Sequence, residues 1–201
     1  MTQACSPPSC GAKTLITTCQ LSCRARRLER DSQAMHRTLK HVIPGPHLWG
    51  VPEHGVLVVQ HQEPVHWPTA MPGVVDHSHT VEVTTPITGA PITWAIIANP
   101  TRAIAQGMGK RGKRVAVTPD GWKRWIGDRL EGAINIRDLD AAGLPVARGK
   151  RHEMRTTHHR VLYTGTGTVA NQARLAELQA TGIGRGKAYG CGLLIVQEGI
   201  V

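Results

Sequence analysis

The sequence predicts an α+β chain in which one six-element pattern is used twice. Three observations point there. Short apolar, β-rich runs alternate with helical runs in the order strand–helix–strand–strand–helix–strand in each half. A change of pattern near 87–89 separates the halves. A dense glycine tract, residues 182–192, precedes the last strand. The length of 201 residues suits two small domains, and an apolar content of 40% is too high for a disordered chain.

Residues 1–13 (MTQACSPPSCGAK) are polar and carry Pro-Pro and Gly, so a disordered extension is expected there. The first domain is placed at 14–86. Thr14 to Ser22 reads as a strand, followed by a basic run with Arg24, Arg26, Arg27 and Arg30. Asp31-Ser32 supplies an N-cap, and Met35, Leu39, Val42 and Ile43 recur at helical spacing until Pro44-Gly45-Pro46 stops the helix. Leu48 to Val51 and Val56 to His61 read as strands around a turn. Three Pro between Glu63 and Gly73 keep any helix there short, and Thr80 to Thr84 alternates like a strand.

The second domain is placed at 87–201. Pro91 to Ala98 (PITWAIIA) is its most apolar strand, followed by a basic loop with Lys110, Arg111, Lys113 and Arg114. Thr118-Pro119-Asp120 signals a helix start, and Trp122, Ile126 and Leu130 share one face beyond it. Ala133 to Ile136 and Arg160 to Tyr163 read as strands flanking basic residues Arg148, Lys150, Arg151 and Arg155. Asn171 to Thr181 reads as a helix and Leu193 to Val196 as a strand. Each half thus has the ferredoxin-like (RRM-like) order of elements.

Lys and Arg total 24 against 14 Asp and Glu, a net charge of +10 with His neutral. That surplus favours a polyanionic partner, nucleic acid first, and speaks against an acidic interaction module. With 5 Trp, 2 Tyr and no Phe, base stacking has few residues to work with, so charge and shape should carry most of the recognition. The longest apolar stretch, Ile92 to Ala98, is far short of the roughly 20 residues of a membrane-spanning helix. Five Cys cannot all pair internally, and no secretory signal pattern is evident, so a reduced, cytoplasmic setting is expected.

Four strings carry a resemblance: MHRTLKH (Met35 to His41), ANPTR (Ala98 to Arg102), KRVAVTPDGWKRWIGDRL (Lys113 to Leu130) and GIGRGKAYGCGLLIV (Gly182 to Val196). In this order and spacing the chain, from about residue 14 onward, resembles the CRISPR precursor-RNA endoribonuclease of the type I-E Cascade complex, the CasE family of repeat-associated RNA-binding proteins. The resemblance implies two tandem ferredoxin-like domains with a C-terminal glycine-rich loop. It implies metal-independent cleavage of precursor RNA at the 3′ base of the repeat hairpin. The product would stay bound, with the mature guide RNA and the other Cascade subunits as partners and no cofactor.

The residues fit that chemistry. Cleavage without a metal uses the RNA 2′-hydroxyl as nucleophile and needs proton transfer plus stabilisation of the phosphorane. His36 falls in the first turn of the expected helix, where the helix dipole would disfavour the imidazolium. Lys40 lies one turn on, on the same side, with the same electrostatic effect. The resemblance makes His36 the catalytic residue; without it, His36 reads as a polar neighbour of the Met35/Leu39 stripe. Gln33 stands where some relatives carry a Tyr, and Gln donates no proton at neutral pH. The proton donor is thus open between His36 in both roles and assistance from His41.

Expected RNA-binding residues are Gln33, Arg37, Arg102, Lys110, Arg111, Lys113, Arg114, Arg148, Lys150, Arg151, Arg155, Arg185 and Lys187. In the glycine tract, Gly182, Gly184, Gly186, Gly190 and Gly192 permit positive φ and close backbone approach. Alone, such a tract reads as a tight connection, and it is not a phosphate-binding P-loop. The spacing of Cys5, Cys10, Cys19 and Cys23 lacks a compact C-x-x-C pair, and His77/His79 and His158/His159 lack acidic partners, so no metal site is expected. The competing readings are a non-catalytic hairpin-binding subunit of the same fold and an RNA-binding protein outside CRISPR biology.

Overall fold

The computed structural model describes residues 14–107, 112–151 and 154–199. The expected disordered extension, Lys110 and Arg111 lie outside the described residues. The first domain contains β1 (Thr14–Leu21), α1 (Arg26–Arg30), α2 (Ser32–Val42), β2 (Leu48–Glu53), β3 (Val56–His61), α3 (Trp67–Ala70) and β4 (Val75–Val83). Its sheet runs in the order β2-β3-β1-β4, with every neighbouring pair antiparallel. The second domain contains β5 (Pro91–Ala98), β6 (Thr101–Ile104), β7 (Lys113–Ala116), α4 (Trp122–Leu130), β8 (Ile134–Arg151), β9 (Met154–Val169), α5 (Gln172–Thr181) and β10 (Leu194–Glu198). Its main sheet runs β10-β5-β9-β8, the same arrangement of first, second, third and fourth strands. Both halves are ferredoxin-like.

Each sheet buries one face under its helices. Met35 and Leu39 of α2 are fully buried with Cys19, Leu57, Val59 and Trp67 in the first core. Ile126 and Leu130 of α4 and Leu175 of α5 close the second core over Ile96, Val161 and Tyr163. Among the described residues, no helix is long and apolar enough to cross a membrane.

Four readings from sequence are corrected. The strands expected at 133–136 and 160–163 are parts of one long hairpin, β8–β9, whose outer part includes Arg148, Lys150, Arg151 and Arg155. Register shifts between Ile136 and Asp138 and between Leu144 and Ala147 break the alternation that would have revealed it; Pro145, with no N–H to donate, sits in the second shift. Lys113 and Arg114 lie on β7, which pairs with β6, rather than in a loop. Thr118 makes no side-chain capping bond, and a 3-10 turn at Pro119–Gly121 leads into α4. His36 is the fifth residue of α2, beyond the free amides of the first turn, because the helix starts at Ser32.

The first core also holds a closed polar network. The His61 Nδ1–H donates to the Glu63 carbonyl at 2.8 Å, which leaves Nε2 as acceptor for the Thr17 hydroxyl at 2.7 Å. Thr17 Oγ1 in turn accepts from Trp67 Nε1–H at 3.2 Å and pairs with the Thr80 hydroxyl at 2.8 Å. Burial holds His61 below the ordinary His value, against the Glu63 bond, which favours the charged ring, and with a smaller contribution from His47. One hydroxyl therefore satisfies two buried ring nitrogens. Thr17→Val should destabilise the protein by about 1–3 kcal/mol in urea denaturation, since it strands both partners, while Thr17→Ser should retain most of that stability. Equal midpoints for Val and wild type would contradict the network's role.

Candidate active site and nucleic-acid interface

The site starts with the helix cap. Asp31 Oδ1 accepts from the backbone N–H groups of Gln33 at 3.1 Å and Ala34 at 3.0 Å. This fixes where α2 begins, and the buried Met35 and Leu39 fix its rotation. His36, next to Met35, is therefore held half-buried at the rim of the core. Its ring lies 6.0 Å from that of His47, tilted by 39°.

Burial lowers the His36 pKa below its ordinary value, and the neighbouring His47 and then Lys40 push it the same way. The direction and the Lys40 contribution agree with the sequence reading, whereas burial, the largest cause, and His47 were not part of it. His36 Nδ1 is also shielded from solvent with no hydrogen-bond partner. An imidazolium would place a second N–H where no acceptor waits, so the neutral ring is favoured again. A neutral imidazole beside an ammonium group is the arrangement of a base next to an anion site.

The other expected residues are distributed unevenly. Gln33, Arg37 and Lys40 share α2 with His36, with Arg37 and Lys40 exposed. His41 is exposed five residues after His36, about 140° round the helix, so α2 alone does not bring the two rings together. Arg102 is exposed on β6 and helps hold the Asp120 carboxyl below its usual range, an effect led by a hydrogen bond with Thr118. Lys113 and Arg114 are exposed on β7. Arg148, Lys150, Arg151 and Arg155 belong to the outer part of the β8–β9 hairpin; their side chains lie outside the described residues.

The glycine tract joins α5 to β10 and folds against the first domain. Gly182, Gly184, Gly186, Gly190 and Gly192 all have positive φ. Between them, a 3-10 turn at Lys187–Tyr189 packs against both α2 and β2. At Gly190, φ is +74° and a Cβ would come within 2.8 Å of the Trp49 ring. Arg185 forms a backbone bridge to Asn99, and the Lys187 ammonium donates to the Thr181 carbonyl.

Sequence reasoning missed how two features assemble. His47 follows the Pro-Gly-Pro stop and its position over α2 depends on that turn. Asn99, His158 and Tyr189 come from three distant segments: Asn99 Nδ2 lies 2.9 Å from His158 Nδ1, and the His158 and Tyr189 rings stack at 4.0 Å between centroids. The ANPTR string and the His158/His159 pair were the available signals. Of the Cys weighed for a metal, Cys19 is buried in β1, Cys23 is exposed, and Cys5 and Cys10 lie outside the described residues. Among the described residues, no three His, Cys, Asp or Glu side chains form a group that could hold a metal ion.

Two ferredoxin-like domains in tandem, with a glycine-rich turn of the second packed on α2 and β2 of the first, define the class of fold. The sequence profile of the CRISPR-associated protein family matches residues 14–198, and the chain belongs to that family. It is similar to the CRISPR endoribonuclease Cse3 bound to a 19-nucleotide RNA, at 25% identity and a TM-score of 0.77, over 92% of this chain and 99% of that one. Cse3 of Thermus thermophilus bound to an RNA representing a pre-cleavage complex gives 26% identity and a TM-score of 0.76 over the same shares, 92% and 99%. Cas6e of Escherichia coli K-12 shares the fold at 22% identity and a TM-score of 0.70, again over 92% and 99%. No curated protein sequence matches the chain.

The electrostatics can be checked by NMR titration. The His36 ring should titrate below the ordinary His value near 6.5, and Lys40→Ala or His47→Ala should each move it upward. A wild-type His36 titrating at or above that ordinary value would contradict the burial argument.

Proposed function

We propose that the chain is a metal-independent endoribonuclease that cleaves CRISPR precursor RNA at the 3′ base of the repeat hairpin. It then remains on the mature guide RNA as a subunit of the Cascade surveillance complex. The observation that carries this reading is the similarity to RNA-bound Cse3 over 92% of this chain and 99% of that one. Placement of His36 beside Lys40, with its pKa lowered, supports the chemistry. A structure described as a CRISPR RNA-guided surveillance complex shares the fold, at a TM-score of 0.68 and 18% identity.

In this reading His36 takes the proton of the 2′-hydroxyl as that oxygen attacks the adjacent phosphorus. The Lys40 ammonium stabilises charge on the non-bridging oxygens. The bond from phosphorus to the 5′-oxygen then breaks, and the imidazolium formed in the first step returns its proton to the leaving oxygen. The products are a 2′,3′-cyclic phosphate on the hairpin and a 5′-hydroxyl on the downstream RNA. Atoms and charges balance with one ring in both roles, which accommodates Gln33 in place of a second proton donor. Arg148, Lys150, Arg151 and Arg155 of the hairpin and the exposed Arg37 and Lys113 hold phosphates of the stem.

The test is single-turnover cleavage of a repeat hairpin in EDTA, with binding measured in parallel. His36→Ala should slow cleavage by about 10²–10⁴-fold while leaving hairpin affinity within a few-fold, because proton transfer depends on one ring and binding is spread over many cations. A 2′-deoxy substitution at the cut should block the wild type. Cleavage by His36→Ala at the wild-type rate would overturn the assignment, and loss of wild-type activity in EDTA would overturn the metal-free mechanism. Tight hairpin binding without any cleavage would identify the chain as the non-catalytic subunit instead.

A further inference from the structure

A second cleft, of about 600 Å³, opens beside the glycine-rich turn, lined by β9, the start of β6, β7 and the turn itself. The volume lies within the range of small-ligand sites. Its lining includes the cations Arg114, Arg185 and Lys187, and the residues Asn99, His158 and Tyr189. Helix α2 contributes none of this lining, yet it packs against the same 3-10 turn, Lys187–Tyr189. One short turn thus serves both the cleft and the helix that carries His36.

The aromatic inventory gives Tyr189 a particular place. The chain has 5 Trp, 2 Tyr and no Phe. Trp49, Trp67, Trp94, Trp125 and Tyr163 are all buried in the two cores. Trp122 is half-buried, with its Nε1–H donated to the Val117 carbonyl and its ring against the second core. Tyr189 is the remaining aromatic, half-buried and on the wall of the cationic cleft. Its ring is held by the stack on His158 at 4.0 Å, and His158 is held by the Asn99 amide at 2.9 Å. Such a relay fixes an aromatic ring in advance, which lowers the entropy cost of stacking a ligand on it. A cationic rim around one fixed aromatic ring matches the two parts of a nucleotide, phosphate and base.

We infer that this cleft binds one unpaired nucleotide of the RNA, immediately 3′ of the cut, with its base against Tyr189 and its phosphate near Arg114 and Arg185. The inference rests on the reading above, in which the strand leaves the stem at His36 and continues unpaired. His158 and Asn99 are positioning residues that act through Tyr189. The cleft would then hold the strand on the far side of the reacting phosphorus, so that both flanks of the scissile bond are fixed. It also assigns recognition of one base to an otherwise charge-driven binder.

The test compares binding of three RNAs made non-cleavable by a 2′-deoxy substitution: the hairpin ending at the cut, the same hairpin with one added 3′ nucleotide, and the hairpin with one added 5′ nucleotide instead. Wild type should bind the 3′-extended RNA at least about 5-fold tighter than the blunt hairpin, the lower end of base–aromatic stacking. Tyr189→Leu, His158→Ala and Asn99→Ala should lose that increment while binding the blunt hairpin as before, and Tyr189→Phe should keep it. A 2-aminopurine at the added 3′ position should be quenched by wild type and not by Tyr189→Leu. Equal wild-type affinity for blunt and 3′-extended RNAs would overturn the inference alone, as would an increment from the 5′ nucleotide only or one that survives Tyr189→Leu. Failure of wild type to bind the blunt hairpin at all would overturn the function reading and this inference with it.

Discussion

Contact between the glycine tract and the first domain is the constraint on which the site depends. Gly190 sits under the Trp49 ring with φ +74°, where a Cβ would be 2.8 Å from the ring. Gly182 faces Leu48 in the same manner, with a Cβ 2.9 Å from its Cδ1. Close approach at these points lets the turn at Lys187–Tyr189 reach α2, so the second domain packs on the helix that carries His36. The joint is reinforced away from the turn. Gln60 Nε2 donates to the Gln179 carbonyl at 2.9 Å and Thr85 to the Gln179 side chain at 2.8 Å. An apolar seam including Gly50, Val58, Ile97, Leu162 and Leu193 lies between the sheets.

The two halves therefore divide the work although they share a topology. In the first domain the helix after the first strand carries His36, and the buried stripe of that helix sets the depth at which burial lowers its pKa. The second domain extends its second and third strands into a long hairpin and inserts β6–β7 between its first strand and first helix. The β6–β7 pair exposes Arg102, Lys113 and Arg114. A half-buried His with a lowered pKa and exposed cations away from it suit the substrate proposed above, gripped along its backbone and altered at one bond.

Much of this was legible in the sequence, for physical reasons that differ by element. The Asp31 cap and the Met35/Leu39 stripe placed α2, because capping and periodicity are local. The placement of His36 and Lys40 on that helix followed, although the first turn expected for His36 did not, and of the causes of its lowered pKa only Lys40 was legible: His47 reaches it only through the Pro44-Gly45-Pro46 turn. The long β8–β9 hairpin was obscured by Gly143, Pro145 and two register shifts that interrupt the alternation. The glycine tract was legible as a segment that permits positive φ and close backbone approach. The partner rings Trp49 and His158 were not, because their contacts with Gly190 and Tyr189 are long-range.

The central claim is that the glycine tract, by packing against α2 and β2, assembles the site proposed for cleavage. Gly190→Val tests it most directly, through single-turnover cleavage at saturating RNA with the fold checked by circular dichroism. Strain from a β-branched residue at positive φ, together with the clash on Trp49, should separate the turn from α2. The account expects a folded variant that cleaves at least 10-fold more slowly than wild type, an increase of about 1.4 kcal/mol or more in the barrier. A folded Gly190→Val protein that cleaves at the wild-type rate would show that the glycines merely connect α5 to β10, and would contradict the account.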